Sequence, residues 1–291
     1  QKARVSWLKE GDRNTSFFHA RVAGRRKVNR ISILRNRYGD WCKTEEETRQ
    51  EILDYFQQIF TTESPLEFTE ILQGIPLTIT DEMNRKLPRP VKEQEIAQAV
   101  FSMHPNKSPD PDGMSPLFFQ KFWNVVRIDV VQAVQSFFHS GHLLKSINET
   151  LISLIPKIDS PSTITNFRPI SLCNVIYKVI SKIITNRFKK VMSHCICHSQ
   201  SAFVPGRQIL DNILIAHESV HFLKNKRAGR NGFMAIKLDM SKAYDRVEWI
   251  FLARIMEKMG FCSKWIQWIM ECVTTITYAV NTNGEKTGFI R

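Results

Sequence analysis

The sequence lacks long apolar runs and is poor in cysteine. No window approaches the roughly 18 uninterrupted apolar residues that a membrane-spanning helix requires, and the basic N-terminus leads into no apolar signal core, so we expect no membrane partner. Six cysteines in 291 residues are too few for a disulfide framework, which favours a reduced, intracellular protein. Internal repeats and low-complexity tracts are also absent. Because 43% of the residues are hydrophobic, the chain can bury a core, and we predict a globular protein.

Acidic residues are outnumbered by basic ones. The chain has 41 Lys and Arg against 28 Asp and Glu, a formal net charge of +13. The excess is concentrated in residues 1–37, where eleven basic and two acidic residues leave +9. Such a balance favours a polyanionic partner, because basic side chains release counterions from phosphates. On composition alone, nucleic-acid binding and a solvated helix face are equally open.

The first ninety residues divide into two parts by composition. Residues 48–60 repeat apolar positions three and four apart, which predicts a helix within a basic helical arm over residues 1–60. Residues 61–90 contain four prolines and Gly74, which predicts a linker. We therefore expect a domain boundary near residue 90.

Helical and strand patterns alternate after that boundary. Gly141 is a helix terminator after one long apolar pattern, and short β-branched runs predict strands. The predicted helices are residues 91–103, 117–138, about 173–193 and about 208–224, and the predicted strands are residues 151–156 and 167–172.

A further strand is predicted over Phe233–Asp239, ending on a carboxylate. A sheet would fix Asp239 rigidly while the following turn leaves it accessible, as a metal-binding carboxylate requires. The alternative is that Asp239 caps the next helix. Asp245 and Glu248 fit a capping box for that helix better, and Gly260 marks its end.

Three motifs occur in order along the chain: Asn166-Phe-Arg-Pro-Ile-Ser-Leu-Cys-Asn174, Gln200-Ser-Ala-Phe-Val-Pro-Gly-Arg207 and Lys237-Leu-Asp-Met-Ser-Lys-Ala-Tyr-Asp-Arg-Val-Glu-Trp249. Together they closely resemble the reverse transcriptases of LINE-type non-LTR retrotransposons, of the plant kind. The resemblance also includes Trp7–His19, the loop that starts at Asn106, and Trp268–Val273. It therefore covers nearly the whole chain.

The resemblance implies both a fold and an activity. The fold is a helix-rich α+β right-hand polymerase, with the fingers and part of the palm in residues 91–291, preceded by the arm and the linker. The activity is RNA-directed DNA synthesis by a monomer, with an RNA template, a DNA primer and deoxynucleoside triphosphates as partners. The family also implies that the protein acts in the nucleus.

Asp239 matches the first catalytic aspartate of the family's palm, a ligand of two Mg²⁺ ions. Tyr244 matches the bulky residue under the nucleotide sugar, although a core aromatic is an equal alternative. Arg168 matches the fingers arginine that binds the incoming triphosphate, because its fork suits phosphate oxygens. Lys157 resembles the companion lysine, with an exposed strand-end lysine as an equal alternative.

Nucleic-acid contacts are implied in two places. The segment from Gln200 to Arg207 matches a part of the family that lies beside the template strand, and Arg207 is the candidate phosphate contact. In the basic arm, Arg25, Arg26 and Lys27 are the candidate nucleic-acid-binding residues.

The chain departs from the family pattern at two points. Asp110 stands where the family's loop usually has glycine, which is consistent with decay in an inactive copy. The family's Ala-Asp-Asp turn, which supplies the remaining catalytic aspartates, does not occur before Arg291. We therefore expect a piece of a longer protein with an incomplete two-metal site and little activity alone. The alternative function is a non-catalytic basic RNA-binding remnant of a decayed element.

Overall fold

The computed structural model of the protein describes residues 16–62, 68–105, 112–226, 232–240 and 242–290. The N-terminal motif at Trp7, the loop that starts at Asn106 and Asp110 lie outside the described residues. The helices are α1 Ser16–Asn29, α2 Glu45–Phe60, α3 Thr69–Gln73, α4 Asp81–Lys86, α5 Glu93–Phe101, α6 Pro116–Lys121, α7 Trp123–Ser140, α8 Val175–Phe188, α9 Met192–Cys195, α10 Ile209–Asn225, α11 Trp249–Met259 and α12 Ser263–Thr274.

The described strands form one small mixed sheet. Its strands are β1 Glu149–Pro156, β2 Phe167–Cys173, β3 Thr277–Thr282 and β4 Glu285–Ile290, in the order β2-β1-β3-β4. β1 pairs antiparallel with β2 and parallel with β3, and β3 pairs antiparallel with β4. The fold is therefore mixed α and β, with most described residues in helices.

Most predicted helices are confirmed, with one interruption. The predicted helix over residues 117–138 is two helices, α6 and α7, separated at Phe122, whose φ of −103° and ψ of 22° depart from helical values. Gly141 ends α7 in the left-handed conformation, with φ of 75°. Asn174 caps α8 by accepting a hydrogen bond from the backbone N–H of Ile176 at 2.8 Å.

The β3–β4 hairpin was not predicted. Its turn contains Asn283 and Gly284, with φ of 56° and 98°, and Asn-Gly is the preferred pair for such two-residue turns. The side chain of Asn283 also joins the hairpin to the arm, because it exchanges hydrogen bonds with the backbone of Ile31 at 2.8 Å in both directions. The dipeptide alone was a sufficient signal.

The larger core is built almost entirely from helices. Helices α5, α7, α8 and α12 contribute most of its buried side chains, and Trp265 and Trp268 are the largest. Ring contacts extend through it, with Phe138 edge-on to Trp268 at a centroid distance of 4.8 Å. This ring contact packs α7 against α12.

Part of the predicted linker belongs to that larger core. Ile79 and Leu87 are 4% and 3% exposed and pack in the same cluster as α5 and α8. The guanidinium of Arg187, on α8, holds the segment by hydrogen bonds to the carbonyls of Leu87 at 2.9 Å and Arg89 at 2.7 Å. It also forms two 2.8 Å bonds to the carboxylate of Glu95. The part of the predicted linker that contains Pro88 and Pro90 is therefore packed against the larger core.

A smaller core joins the arm to the sheet. Ile31, Leu34, Ile52 and Phe56 pack against buried residues of the strands, among them Ile152. On the surface, Arg49 of α2 forms a 2.5 Å ion pair with Glu285 of β4. Residues 31–60 therefore share a core with the sheet. None of the described helices is long and apolar enough to cross a membrane.

The predicted strand Phe233–Asp239 is wrong. Residues 232–240 belong to no helix or strand, and all of them are exposed. An extended segment forms a ladder only beside a neighbouring strand, and the described sheet pairs its four strands among themselves. Leu238 and Met234 consequently are 88% and 80% exposed.

The predicted capping box at Asp245 is also wrong. Helix α11 begins at Trp249, so its N-cap is Glu248 and not Asp245. The side chain of Glu248 makes no capping hydrogen bond. The carboxylate of Glu248 instead accepts a hydrogen bond from the hydroxyl of Thr62 at 2.5 Å. The predicted end of the helix at Gly260 is confirmed, with φ of 91°.

Candidate functional site

Two of the predicted nucleotide-binding residues lie at one end of the β1–β2 hairpin. Arg168 of β2 pairs in register with Ile155 of β1, and Lys157 follows β1 directly. The backbone N–H of Lys157 donates to the carbonyl of Asn166 at 2.8 Å, so the antiparallel pairing continues to Lys157. Side chains two residues apart lie on the same face of a strand, so Lys157, Ile155 and Arg168 share a face.

This hairpin face is exposed and carries positive charge. Ile155 and Ile170 are each 41% exposed, and Arg168 and Lys157 are exposed as well. The ammonium of Lys157 donates to the carbonyl of Thr165 at 2.8 Å, which places it over the β1–β2 connection. The opposite face packs in the smaller core through Ile152 and Leu154. One face of the hairpin therefore anchors it, and the other presents two cations to solvent.

Asp239 lies on the exposed segment 232–240. The helix that follows begins ten residues later, at Trp249, so Asp239 does not cap it. Among the described residues, no hydrogen bond or ion pair joins Asp239 to Lys157, Arg168 or Arg207. The catalytic role of Asp239 therefore stays a prediction.

Tyr244 lies in the turn between Asp239 and α11 and is 76% exposed. The alternative that it is a core aromatic is therefore wrong. This turn rests against the arm, because the ammonium of Lys242 lies over the ring of Tyr55 of α2, 4.1 Å from its centroid, and donates to its hydroxyl.

The phenol of Tyr278, on β3, has a raised pKa. Burial is the main cause that raises the pKa of Tyr278, and the charges of Cys173 and Asp245 add to it.

The contact between Tyr55 and Lys242 was missed in the sequence. Tyr55 fits the apolar pattern of α2, and the two residues are 187 positions apart. A second bond, from Thr62 to Glu248, joins the same two segments. Periodicity carries no signal for such a distant pair, so the sequence could not have predicted that the arm supports this turn.

Arg207 makes its described contacts within the chain. Its guanidinium donates to the carbonyls of Cys197 and Gln200, both at 2.6 Å, and to that of Ile196 at 3.5 Å. These bonds fix the loop that carries Gln200, whose side chain donates to the carbonyl of Ala202 at 3.3 Å. The geometry gives Arg207 a structural role, and its contact with phosphate stays a prediction.

The basic arm presents its cations on a helix. Arg25, Arg26 and Lys27 lie in the last two turns of α1, and all three are exposed. Cations near a helix C-terminus also interact favourably with the helix dipole. Their exposure leaves the charge accessible to a polyanion.

A metal centre does not form among the described residues. They contain no group of three His, Cys, Asp or Glu side chains that could hold a metal ion. Asp239 offers one carboxylate, whereas a pair of magnesium ions needs several oxygen ligands. The described residues therefore do not fit the implied two-metal site.

The comparisons with known proteins agree with the motifs. Residues 155–290 match the family described as reverse transcriptase (RNA-dependent DNA polymerase). Residues 155–290 are therefore similar in sequence to reverse transcriptases. The matched residues include β1 from Ile155, the β2 strand with Arg168, residues 232–240 with Asp239 and the β3–β4 hairpin.

The relatives are proteins of mobile elements. The chain is 29% identical over 287 residues to the transposon TX1 uncharacterized 149 kDa protein of Xenopus laevis, with 96% of this chain and 22% of the relative covered. It is 22% identical to the RNA-directed DNA polymerase from mobile element jockey of Drosophila funebris, covering 81% and 26%. It is 25% identical to the Pol polyprotein from the type-2 retrotransposable element R2DM of Drosophila melanogaster, covering 67% and 17%.

These matches confirm the predicted resemblance to reverse transcriptases of non-LTR elements. The similarity to the Xenopus relative includes the arm as well as the family segment, because it covers 96% of the chain. The chain spans about a quarter or less of the length of these curated relatives.

Proposed function

We propose that the protein serves RNA-directed DNA synthesis in a non-LTR retrotransposon of the plant type. The reaction joins the 3′-hydroxyl of a DNA primer to the α-phosphate of a deoxynucleoside triphosphate, and an RNA template directs the choice of nucleotide. The observation that carries the proposal is the family match over residues 155–290, which includes both the cationic hairpin face and Asp239.

The exposed face of the β1–β2 hairpin is the proposed triphosphate site. Arg168 can bind two phosphate oxygens at once, and Lys157 adds a second positive charge next to it. Both side chains stand on a hairpin whose other face is buried, so the phosphate is held by a fixed element. In this proposal the hairpin belongs to the fingers.

Asp239 and Tyr244 are the proposed palm residues. Asp239 presents a carboxylate to the reacting phosphates, and Tyr244 lies against the nucleotide sugar, where its ring disfavours a 2′-hydroxyl. Reverse transcriptases use divalent metal ions, generally Mg²⁺. Since the described residues do not fit the two-metal site, Asp239 alone is assigned here.

The proposed organisation places a basic arm in residues 1–60, a connection in residues 61–90 whose second half packs in the larger core, and the polymerase fingers and partial palm in residues 91–291. Gln200 and Arg207 lie beside the template strand, and the cations of α1 contact nucleic acid. The exposure of Arg25, Arg26 and Lys27 supports the last assignment.

Primer extension tests the proposal. A version of the protein that continues through an Ala-Asp-Asp motif is incubated with an RNA template, a labelled DNA primer, deoxynucleotides and magnesium. We expect extension that Asp239→Ala abolishes and that Asp159→Asn, a change of another exposed carboxylate, leaves intact. Extension by Asp239→Ala at the wild-type rate would contradict the assigned role.

The second candidate function is a non-catalytic RNA-binding remnant. The observation that favours it is the net charge of +13, which supports binding to a polyanion without any catalytic group. The same extension assay separates the two functions. A lengthened chain that binds RNA and adds no nucleotide would establish the remnant.

A further inference from the structure

A rigid turn in the arm exposes two aromatic rings between basic residues. Trp41 and Tyr38 are 50% and 82% exposed. They belong to residues 35–41, where Arg35 and Trp41 form an isolated antiparallel bridge.

The turn is held by several hydrogen bonds. The backbone N–H of Asn36 donates to the carbonyl of Asp40 at 2.8 Å, and the side-chain oxygen of Asn36 accepts from the N–H groups of Tyr38 and Asp40 at 3.0 Å. Gly39 supplies the left-handed conformation, with φ of 93°. Arg37 fastens the turn to α2 by a 3.0 Å ion pair with Asp54. The two rings therefore project from a preorganised backbone.

The rings belong to a basic stretch of the arm, in which Arg30 is paired with Glu45 and Arg37 with Asp54. Residues 16–43 contain eight Lys and Arg and one Asp, a net charge of +7. The guanidinium of Arg35 lies 4.7 Å from the centre of the Trp41 ring. Trp41 therefore combines a stacking surface with an adjacent cation.

A groove of about 1390 Å³ runs along this turn. Its lining includes Arg30, Trp41 and Lys43 on the arm side and Ser160–Ser162 on the side of the β1–β2 connection. Asp40 and Glu47 also line it. The carboxylate of Glu47 accepts a 2.5 Å hydrogen bond from the backbone N–H of Lys43, which commits it to the start of α2. The groove thus leads from the cationic arm to the hairpin that carries Lys157 and Arg168.

We propose that Tyr38 and Trp41 form a stacking platform for single-stranded RNA, and that the surrounding cations bind its phosphates. Proteins that bind single strands combine a positive groove with aromatic side chains on which bases stack. Bases in a duplex are already stacked on each other, so the rings discriminate between single and double strands. The cations alone do not, because phosphates are present in both. This platform does not depend on the polymerase reaction.

Fluorescence anisotropy on the complete chain tests the platform. The ligands are a labelled oligouridine and an RNA duplex, each of about 20 nucleotides, at several salt concentrations. Tyr38→Ala and Trp41→Ala should each weaken single-strand binding by about tenfold, leave duplex binding unchanged and keep the salt dependence of the wild type. Trp41→Phe should retain most of the affinity, because it keeps a ring.

Two controls separate stacking from charge and from folding. Phe101→Ala removes an aromatic ring that is 54% exposed at the end of α5, and it should change neither affinity. The double variant Arg26→Gln, Lys27→Gln should weaken the binding of both ligands. The slope of log affinity against log salt concentration should fall by about 0.7 for each single-strand phosphate that the variant no longer neutralises. Wild-type single-strand affinity in Tyr38→Ala and Trp41→Ala, or an equal weakening of duplex binding, would overturn the platform.

Discussion

Helices α8 and α10 have similar apolar content and opposite environments. In α8, Val175, Val179, Ile180 and Ile183 are 0% exposed. In α10, no residue is buried, and Ile209, Leu210 and Ile215 are each more than 60% exposed. Both helices were predicted from the same kind of apolar spacing. An apolar pattern therefore predicts that a helix forms, whereas burial depends on which elements pack against it.

The same contrast separates the two halves of the candidate site. Lys157 and Arg168 stand on a hairpin whose inner face packs in the smaller core. Asp239 stands on the segment 232–240, which is exposed throughout and forms no strand. The hairpin with the proposed phosphate ligands is therefore preorganised in this structure, and the segment with the proposed catalytic carboxylate is not.

The largest loss of stability is expected at Arg187 of α8, which is 3% exposed. Its guanidinium holds residues 87–95 against the larger core, and we call residues 87–95 and α8 the packed region. Arg187→Ala would leave the carbonyls of Leu87 and Arg89 and the carboxylate of Glu95 without their partner. We expect a decrease of about 3–5 kcal/mol in the free energy of unfolding, measured by urea titration. Arg127→Ala removes an exposed ion pair with Glu93 and should cost at most about 1 kcal/mol. Equal costs would contradict the assigned anchoring role.

A matched pair of isoleucines compares the two helices directly. Ile183 of α8 is fully buried, and Ile213 of α10 is 56% exposed. Ile183→Ala leaves a cavity in the larger core and should cost about 2–5 kcal/mol in the same titration. Ile213→Ala should change the free energy by no more than about 0.5 kcal/mol. A large cost at Ile213 would show that α10 is packed.

Gly260 tests the contact between α11 and the predicted linker. With φ of 91°, an added Cβ would lie 2.5 Å from Cδ1 of Leu77 and 3.2 Å from the carbonyl oxygen of Ile79. Gly260→Ala should therefore destabilise the fold by about 1–2 kcal/mol. Gly24→Ala in α1 meets no atom within 4 Å and should stabilise it by about 0.5–1 kcal/mol. In thermal unfolding, the melting temperature should therefore fall for Gly260→Ala and rise for Gly24→Ala.

The smallest expected effect is a pH dependence in the packed region. Burial alone would raise the pKa of Glu95, but the hydrogen bond and charge of Arg187 outweigh it and hold the pKa below its ordinary value. A lowered pKa contributes stability above the ordinary pKa, and that contribution is lost as the pH falls through the lowered value. Glu95→Gln should therefore flatten the acid limb of the stability profile, and an unchanged limb would contradict this.

The sequence predicted the packed region well because its signals are local. Apolar spacing located α8, Gly141 and Gly260 marked helix ends, and short β-branched runs located β1 and β2. The motif order indicated a resemblance to reverse transcriptases, and the family match over residues 155–290 confirms that resemblance.

The failures concern contacts between distant segments. The apolar pattern of Phe233–Asp239 predicts a strand. A strand requires a neighbouring strand, however, and the sequence of this segment does not specify one. Glu248 could not be assigned to Thr62, nor Lys242 to Tyr55, because those partners lie 186 and 187 positions away. Arg207 was assigned to phosphate by resemblance, and its bonds to loop carbonyls depend on the fold of residues 196–200.

The central claim is that Asp239 lies on an exposed segment outside the sheet, whereas the hairpin with Arg168 is packed. Hydrogen exchange measured by mass spectrometry tests this claim most directly. Peptides that cover residues 232–240 should exchange within the earliest time points. Peptides that cover β1 and α8 should remain protected far longer, because their amides open only with the core. Protection of residues 232–240 as strong as that of β1 would contradict the account and place Asp239 on a paired strand.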